Sequence, residues 1–378
     1  MSVAATRWID GTGSLRALVP LRLAVGPLVA LHLRPFLEDA AAGRIYRDTF
    51  FQPYASWYPE LPRSLYVLLL WATVAAAFLV SIGLATRAAS ILTAGGVAYN
   101  LFLSETHFHH NRAFLLVLLA GIALLPVGRW VSVDRVLRGM PRPRAAPLWP
   151  LGLLRFEVAV AYWASGLSKL VDQDWWSGLV TRLRVERFGD LAADRGVPEW
   201  LLEALSSSAF HWWFAKVVVL TELTIGLGLF WRKTRLAAVW LAIGFHMAIE
   251  ATASVQVFSL AGLAALVIWV TPRAGDRELI VRSDLPASHR FGRLVRLLDW
   301  TGRFRVVESA SGPPIRLIDR PGSDGEPVIR EGGAARVMVL SRLPATFWPI
   351  APFVPFVRTR AEPRRRPPGE SGLGSPAR

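Results

Sequence analysis

Apolar runs of about 18–20 residues recur along this chain and restrict its fold more than any other feature. A helix of that length spans a hydrocarbon core ~30 Å thick. The runs 65–85 and 113–127 contain no charged residue, and only 19% of the whole chain is charged, against about 25% in soluble domains. Because backbone amides in lipid have to be satisfied within a helix, the sequence predicts an all-α polytopic membrane bundle.

Eight of these runs are candidate transmembrane helices. They lie near residues 15–33, 65–85, 87–104, 113–128, 150–171, 212–231, 234–252 and 255–272. The first run is interrupted by Arg22 and Pro27. Arginines in the short loops concentrate on one side of this arrangement, so the positive-inside rule places both termini in the cytoplasm. We therefore expect a multi-pass protein of the cell (inner) membrane.

The composition excludes several classes of function. The chain has no cysteine, which rules out disulfides, thiolate metal sites and thiol redox chemistry. The net charge of +15 could indicate a nucleic-acid partner, but the arginines are scattered in loops between apolar runs. Such a distribution is typical of topology signals and of contact with anionic lipid, so we expect the bilayer as a partner and no nucleic acid.

Two long connections, 34–62 and 174–211, are rich in tryptophan, tyrosine and phenylalanine. Aromatic side chains of this kind favour the interface between lipid and water. One interpretation is that these connections form helices lying on the outer membrane surface. The other is that they are ordinary extramembrane loops with aromatic anchors.

Lys169 lies near the end of the fifth run, and Ser165 and Tyr162 precede it on the same helix face. An ammonium group in apolar surroundings loses its proton more easily than in water. Lys169 is therefore a candidate general base. The alternative is that its long side chain extends to the lipid headgroups.

Other polar residues are predicted to reach the same depth of the membrane, and such residues are often functional. They are His107, His109, His110, Asn111 and Arg112 in one turn, Glu222 in the sixth run, and His246 and Glu250 in the seventh. His246 and Glu250 share a helix face by their i,i+4 spacing. The spacing of the three turn histidines is not a standard zinc pattern, so we expect a pocket of hydrogen-bonding side chains and no metal.

The segment 154–175, which contains Lys169, resembles the active-site helix of the vitamin K-dependent gamma-carboxylases. It also resembles that of their bacterial relatives, the HTTM (horizontally transferred transmembrane domain) proteins. Further matches are His110-Asn111 and Phe245-His246. The resemblance extends over about residues 5–275, and it implies an HTTM domain within residues 1–274.

The resemblance implies roles for individual residues. In the carboxylases, the matching lysine deprotonates reduced vitamin K, oxygen adds, and the strong base so formed abstracts a proton from a glutamate side chain. Carbon dioxide then attacks that side chain. Lys169 matches this lysine and His246 matches a histidine of the quinone pocket, which implies a reduced, menaquinone-like cofactor. The family's Asn-His pair reads Asn111-Arg112 in this chain.

The composition after residue 274 becomes charged and mixed, and its pattern predicts a small α/β domain of order β-α-β-β-β-α. The predicted elements are strand 277–282, helix 288–298, strands 304–308, 314–319 and 326–330, and helix 332–343. This order, with a parallel βαβ start, suggests a thioredoxin-like domain over residues 275–357. The basic tail 358–378 is predicted to be disordered.

The run 279–299 is similar to the DCC-type thiol-disulfide oxidoreductases, which are found fused to HTTM segments. Asp284 matches the acidic residue before their first cysteine, whereas Leu285 and Ser288 stand at the two cysteine positions. Thiol exchange requires a thiolate, so we expect a degenerate module without this activity.

Two functions remain open at this point. The first is a carboxylase-like membrane enzyme that handles a quinone or lipid-like substrate in an outer-facing pocket, with Lys169 as its base. The second is a catalytically inactive scaffold or binding protein whose C-terminal domain recruits a protein partner.

Overall fold

The structure, a computed structural model, divides into two compact units, residues 1–274 and 275–378. It describes residues 11–141, 145–184, 196, 198–231, 234–253, 257–270, 277–319, 327–343, 346 and 350. The predicted tail 358–378 therefore lies outside the described residues.

The first unit consists almost entirely of helices. They are α1 (Val19–Ala41), α2 (Arg63–Ile82), α3 (Thr86–Leu103), α4 (His110–Leu124), α5 (Val133–Leu137), α6 (Trp149–Val171), α7 (Gln173–Ser177), α8 (Glu199–Ser206), α9 (Ser208–Phe230), α10 (Arg235–Ala253) and α11 (Val257–Ala265). Short 3-10 turns cover Arg16–Leu18, Tyr46–Asp48, Val127–Arg129 and Leu266–Val270. The two-residue strands β1 (Thr12–Gly13) and β2 (Ala146–Pro147) pair antiparallel.

Three helices of the described part are long and apolar enough to cross a membrane: Arg16–Ala41, Arg63–Ile82 and Ser208–Phe230. Two further apolar helices, Arg112–Leu124 and Val257–Trp269, are shorter. The predicted mostly helical, membrane-embedded character of this unit agrees with these helices. The number of eight spans stays a prediction.

The helices of the first unit pack in a sequence of neighbours that brings distant parts of the chain together. Helix α1 packs on α2 and α11, α3 lies between α2 and α4, and α6 packs on α4 and α9. The approach of α6 to α9 depends on Gly166, since a Cβ there would lie 2.9 Å from Leu223 Cδ2. This close contact holds the face of α6 that carries Lys169 against α9.

Arg22, which interrupts the first apolar run of the sequence, lies within the continuous helix α1. Its side chain is buried and donates hydrogen bonds to the carbonyl oxygens of Ser81 (3.3 Å), Val127 (3.3 Å), Trp130 (2.8 Å) and Val131 (2.6 Å). These carbonyls belong to the end of α2 and to the turn after α4, where helical hydrogen-bond partners are missing. The guanidinium group therefore caps two other segments from within α1.

The second unit is a four-stranded sheet with two helices. Its elements are β3 (Arg277–Arg282), α12 (Pro286–Leu298), β4 (Arg305–Ser309), β5 (Ile315–Asp319), β6 (Val328–Glu331) and α13 (Gly332–Leu340). The strand order is β4-β3-β5-β6, with β3 and β4 parallel and the other pairs antiparallel. The described elements follow the predicted order β-α-β-β-β-α.

Asp299 fixes the return from α12 to β4, and its replacement tests this packing. Its carboxylate accepts hydrogen bonds from the backbone N–H of Arg303 (2.8 Å) and of Phe304 (2.7 Å). We expect Asp299→Ala to lower the free energy of unfolding of this unit by about 2–4 kcal/mol, because it leaves two amides without partners. Hydrogen exchange of the β4 amides in the full chain measures this loss, and the exposed Asp284→Ala, as a control, should leave exchange unchanged.

Candidate functional site

Two packed helices bring the candidate base to a carboxylate. Lys169 lies near the end of α6 and Glu222 lies within α9. The ammonium Nζ of Lys169 donates to Glu222 Oε2 at 2.6 Å and to Oε1 at 2.7 Å. It also donates to Ser165 Oγ at 2.7 Å, and that hydroxyl donates to Glu222 Oε1 at 3.0 Å. Lys169, Ser165 and Glu222 therefore form one closed group, which we call the Lys169 cluster.

The Lys169 cluster is shielded from solvent. The side chain of Lys169 is 14% exposed and that of Glu222 is 6% exposed. The Trp175 ring lies beside the amine, 4.9 Å from Nζ to the ring centroid, in a cation–π contact. The structure thus presents a buried ion pair rather than the isolated amine from which the general-base hypothesis started.

A second hydrogen-bonded pair lies on the same face of α6. Tyr162, seven residues before Lys169, has its hydroxyl 2.7 Å from His246 Nε2 on α10. Both residues are buried, and His246 Nδ1 has no hydrogen-bond partner among the described residues. The Phe258 ring lies next to this imidazole, with 5.5 Å between centroids. His246 thus keeps one polar ring atom unpaired inside an apolar environment.

The position of His246 depends on a glycine. A Cβ on Gly262 would lie 2.5 Å from His246 Nε2, so Gly262→Ala has to displace the ring and break its bond to Tyr162. We expect this substitution to lower the free energy of unfolding by about 1–3 kcal/mol. Thermal unfolding of the purified protein measures it. The matched control is Gly244→Ala on α10, where nothing lies within 4 Å of a Cβ; equal unfolding temperatures for the two variants would contradict this packing.

The turn between α3 and α4 forms its own group of contacts. His107 Nδ1 lies 3.0 Å from the Asn100 carbonyl oxygen, and Arg112 Nη1 donates to the His107 carbonyl at 3.2 Å. Burial lowers the pKa of His107 below its ordinary value and Arg112 acts in the same direction, so the imidazole is neutral at physiological pH. His109 is exposed, and the side chains of His110 and Asn111 lie outside the described part of the chain.

Among the described residues, aromatic rings connect the helix that follows this turn to the Tyr162–His246 pair. Phe114 on α4 lies 6.2 Å from Phe258, which contacts His246. Glu250 is half-buried one turn after His246. Within the described ranges, no three His, Asp or Glu side chains are grouped closely enough to hold a metal ion.

The loop that resembles a redox motif is hydrogen-bonded to the end of β3. Arg282 donates to both carboxylate oxygens of Asp284, and this contact holds the pKa of Asp284 below its ordinary range. Leu285 precedes α12, and Ser288 is buried in the first turn of that helix, with its backbone N–H bonded to the Leu285 carbonyl.

The sequence prediction missed three polar residues of the helical unit: His32, Tyr66 and Asn100. Tyr66 donates to Asn100 Oδ1 at 2.7 Å, and His32 is buried in α1. His32 could have been found, because a histidine within an apolar run carries the same signal as Lys169. The identity of position 169 carries a further signal. Lysine occurs only at positions 169, 216 and 233, and arginine supplies the rest of the 43 basic residues. Of these two residue types, only lysine can release its proton under physiological conditions, so a lysine at position 169 is notable in a chain that otherwise uses arginine.

These helices and the buried polar groups between them define a helical membrane protein with a candidate site inside its helix bundle. A family model described as the HTTM domain matches residues 14–273. The chain therefore belongs to the HTTM family, which is related to the carboxylases. No solved structure matches the chain. The family match ends before the C-terminal unit, whose resemblance to DCC-type proteins stays a prediction.

Proposed function

We propose that this protein binds a reduced, quinone-like or lipid-like molecule beside the Lys169 cluster and takes a proton from it. The observation that carries this proposal is the buried Lys169–Glu222 ion pair. It shares one face of α6 with the Tyr162–His246 pair. Ionisable groups inside a membrane bundle are costly, and they commonly mark substrate or proton pathways.

The surroundings of His246 fit a flat molecule that carries oxygen atoms. If the Tyr162 hydroxyl donates to Nε2, the imidazole proton resides on Nδ1, which then offers an unpaired hydrogen-bond donor. Phe258 and Phe114 supply aromatic walls, and Gly262 lets its helix approach the His246 ring closely. These residues would hold the ring and one oxygen of a reduced quinone, which supplies the acidic O–H group and the electrons for reaction with oxygen.

The Lys169 cluster would act as the proton acceptor. The Glu222 carboxylate takes the proton as the O–H bond of the substrate breaks, and the Lys169 ammonium stabilises the negative charge left on the substrate oxygen. The result is the same if Lys169 first passes its proton to Glu222 and then receives the substrate proton. In both routes the cluster gains one proton. Lys169 thus keeps the role of base that the family resemblance implies, but shares it with Glu222.

The same ion pair supports a second candidate function. An ammonium group has three N–H donors, and Lys169 directs its bonds to three oxygen atoms of Glu222 and Ser165. An amine that is engaged in this way could hold α6 against α9 without taking part in any reaction. The protein would then be a catalytically inactive membrane scaffold or binding protein.

Turnover distinguishes these functions. Full-length protein in lipid nanodiscs is supplied with reduced menaquinone, oxygen and labelled bicarbonate, and both oxidised quinone products and bound label are measured. We expect turnover by the wild type and by the control Lys216→Ala, and at least a ~100-fold loss for Lys169→Ala. Equal rates with and without wild-type protein would support the scaffold.

We propose that the C-terminal unit is a degenerate thioredoxin-like module that docks a protein partner. The parallel β3-α12-β4 crossover and the strand order support this proposal. Leu285 and Ser288 stand where thiols would be required. Placement of both termini in the cytoplasm, with the protein in the inner membrane, is supported by the arginines of the short loops.

A further inference from the structure

A second group of polar side chains surrounds the turn between α3 and α4. It shares no residue with the Lys169 cluster or with the Tyr162–His246 pair. We call it the Arg112 cluster, and it consists of His32, Phe36, Asn100, His107 and Arg112. These residues come from α1, α3, the turn and the start of α4.

Arg112 is a half-buried cation without a carboxylate partner in the described part of the chain. The one hydrogen bond of its side chain there goes from Nη1 to the His107 carbonyl oxygen at 3.2 Å. The guanidinium carbon lies 5.5 Å from the centroid of the Phe36 ring. The remaining N–H groups of Arg112 therefore have no acceptor among the described residues, although an arginine in this setting usually pairs with an anion.

His32 adds a second unsatisfied polar group. It is 2% exposed, and neither Nδ1 nor Nε2 has a hydrogen-bond partner among the described residues. His32 and Phe36 share a face of α1 by their i,i+4 spacing, and Phe36 contacts both the His107 ring and Arg112. The imidazole of His32 contacts the same Phe36 ring, with 6.1 Å between the ring centroids. A buried imidazole with both nitrogens unpaired indicates that a partner is missing.

The charge of the Arg112 cluster selects the class of ligand. The cluster contains one permanent positive charge and two imidazoles, and none of its members is acidic. A carboxylate carries a single negative charge and two coplanar oxygens, which match the planar N–H fork of arginine. A phosphate dianion would leave excess negative charge in this half-buried site, which is costly.

We propose that the Arg112 cluster binds a carboxylate, with the Arg112 guanidinium pairing with its two oxygens and His32 donating a hydrogen bond to one of them. Phe36 and Phe51, whose rings contact the His107 ring at 4.6 and 6.1 Å, would face the carbon atoms next to the carboxylate. This site goes beyond the proposed function, since it requires neither Lys169 nor a quinone.

Calorimetric titration tests the site with two probes of the same chemistry. Full-length protein in nanodiscs of zwitterionic lipid is titrated with acetate, a water-soluble carboxylate, and with decanoate, a fatty acid. Saturable binding of decanoate alone assigns the ligand to the lipid phase, whereas binding of both probes assigns a water-soluble carboxylate. Absence of saturable binding for both probes would overturn the proposal.

Variants show whether binding occurs at this cluster. We expect Arg112→Gln to raise the dissociation constant at least ~10-fold, as for loss of a charge-assisted hydrogen bond. Arg112→Lys should recover only part of the lost affinity. His32→Leu should also weaken binding. The matched control is Arg34→Gln on α1, an exposed arginine already paired with Glu38, which should bind as the wild type does. Size-exclusion profiles verify that each variant is folded, and unchanged affinity in folded Arg112→Gln would contradict the assignment.

Discussion

Arg22→Met is expected to lower the free energy of unfolding of the helical unit by about 3–5 kcal/mol, as for other buried charges that lose their partners. The methionine fills a similar volume but donates no hydrogen bond. Four carbonyl oxygens at the end of α2 and in the turn after α4 then lose their donor. Water cannot replace it, because Arg22 is 1% exposed and lipid offers no donors.

Arg22→Lys keeps the positive charge and therefore shows how much of the loss comes from the hydrogen-bond geometry of the guanidinium group. A lysine carries its three donors on one nitrogen, whereas the arginine fork spreads five donors over three nitrogens. We expect the lysine variant to recover only part of the stability. The loss is measured as the temperature at which the detergent-solubilised protein leaves its size-exclusion peak. The exposed Arg34→Met is the matched control, and equal temperatures for Arg22→Met and Arg34→Met would contradict the capping role.

Breaking the Lys169–Glu222 pair is the second change with a large expected effect. Lys169→Met leaves the Glu222 carboxylate buried without its counter-ion, and Glu222→Met does the same to the ammonium. Each substitution is expected to cost about 3–5 kcal/mol. The double variant Lys169→Met/Glu222→Met removes both charges and should recover most of the stability, since replacing a buried pair with apolar residues is often close to neutral.

A double-mutant cycle measures this coupling directly. The same cycle at Arg34 and Glu38, an exposed pair one helical turn apart on α1, serves as the control and should show no measurable coupling. If the losses from Lys169→Met and Glu222→Met simply add in the double variant, the two side chains do not form a buried ion pair in the membrane.

Helical spacing predicted one part of the candidate site correctly. The i−4 and i−7 positions place Ser165 and Tyr162 on the face of α6 that carries Lys169, and both side chains lie there, each in a hydrogen bond to another helix. Spacing along one helix does not indicate which residues of another helix its side chains contact. Glu222 and Glu250 were equal candidates from the sequence, and Glu222 meets Lys169 because Gly166 lets α9 approach closely.

Arg22 is a residue whose role could not be predicted from the sequence. Its charge interrupts the first apolar run, but the neighbouring sequence does not indicate its role, because the carbonyl groups that accept its hydrogen bonds lie at least 59 positions away along the chain. No local pattern can reveal such partners. In the C-terminal unit the strand Arg277–Arg282 has the predicted bounds, since alternation along a strand is a local property.

Proton transfer from the quinone to the protein can be measured directly. Reduced menaquinone is titrated without oxygen against protein in nanodiscs at pH 7, and the absorbance of its ionised form is recorded. We expect the ionised form to appear in proportion to wild-type protein and to the Lys216→Ala control, and to be absent with the Lys169→Met/Glu222→Met variant. Ionisation to the same extent with that double variant, or none with the wild type, would contradict the claim that the Lys169 cluster accepts the proton.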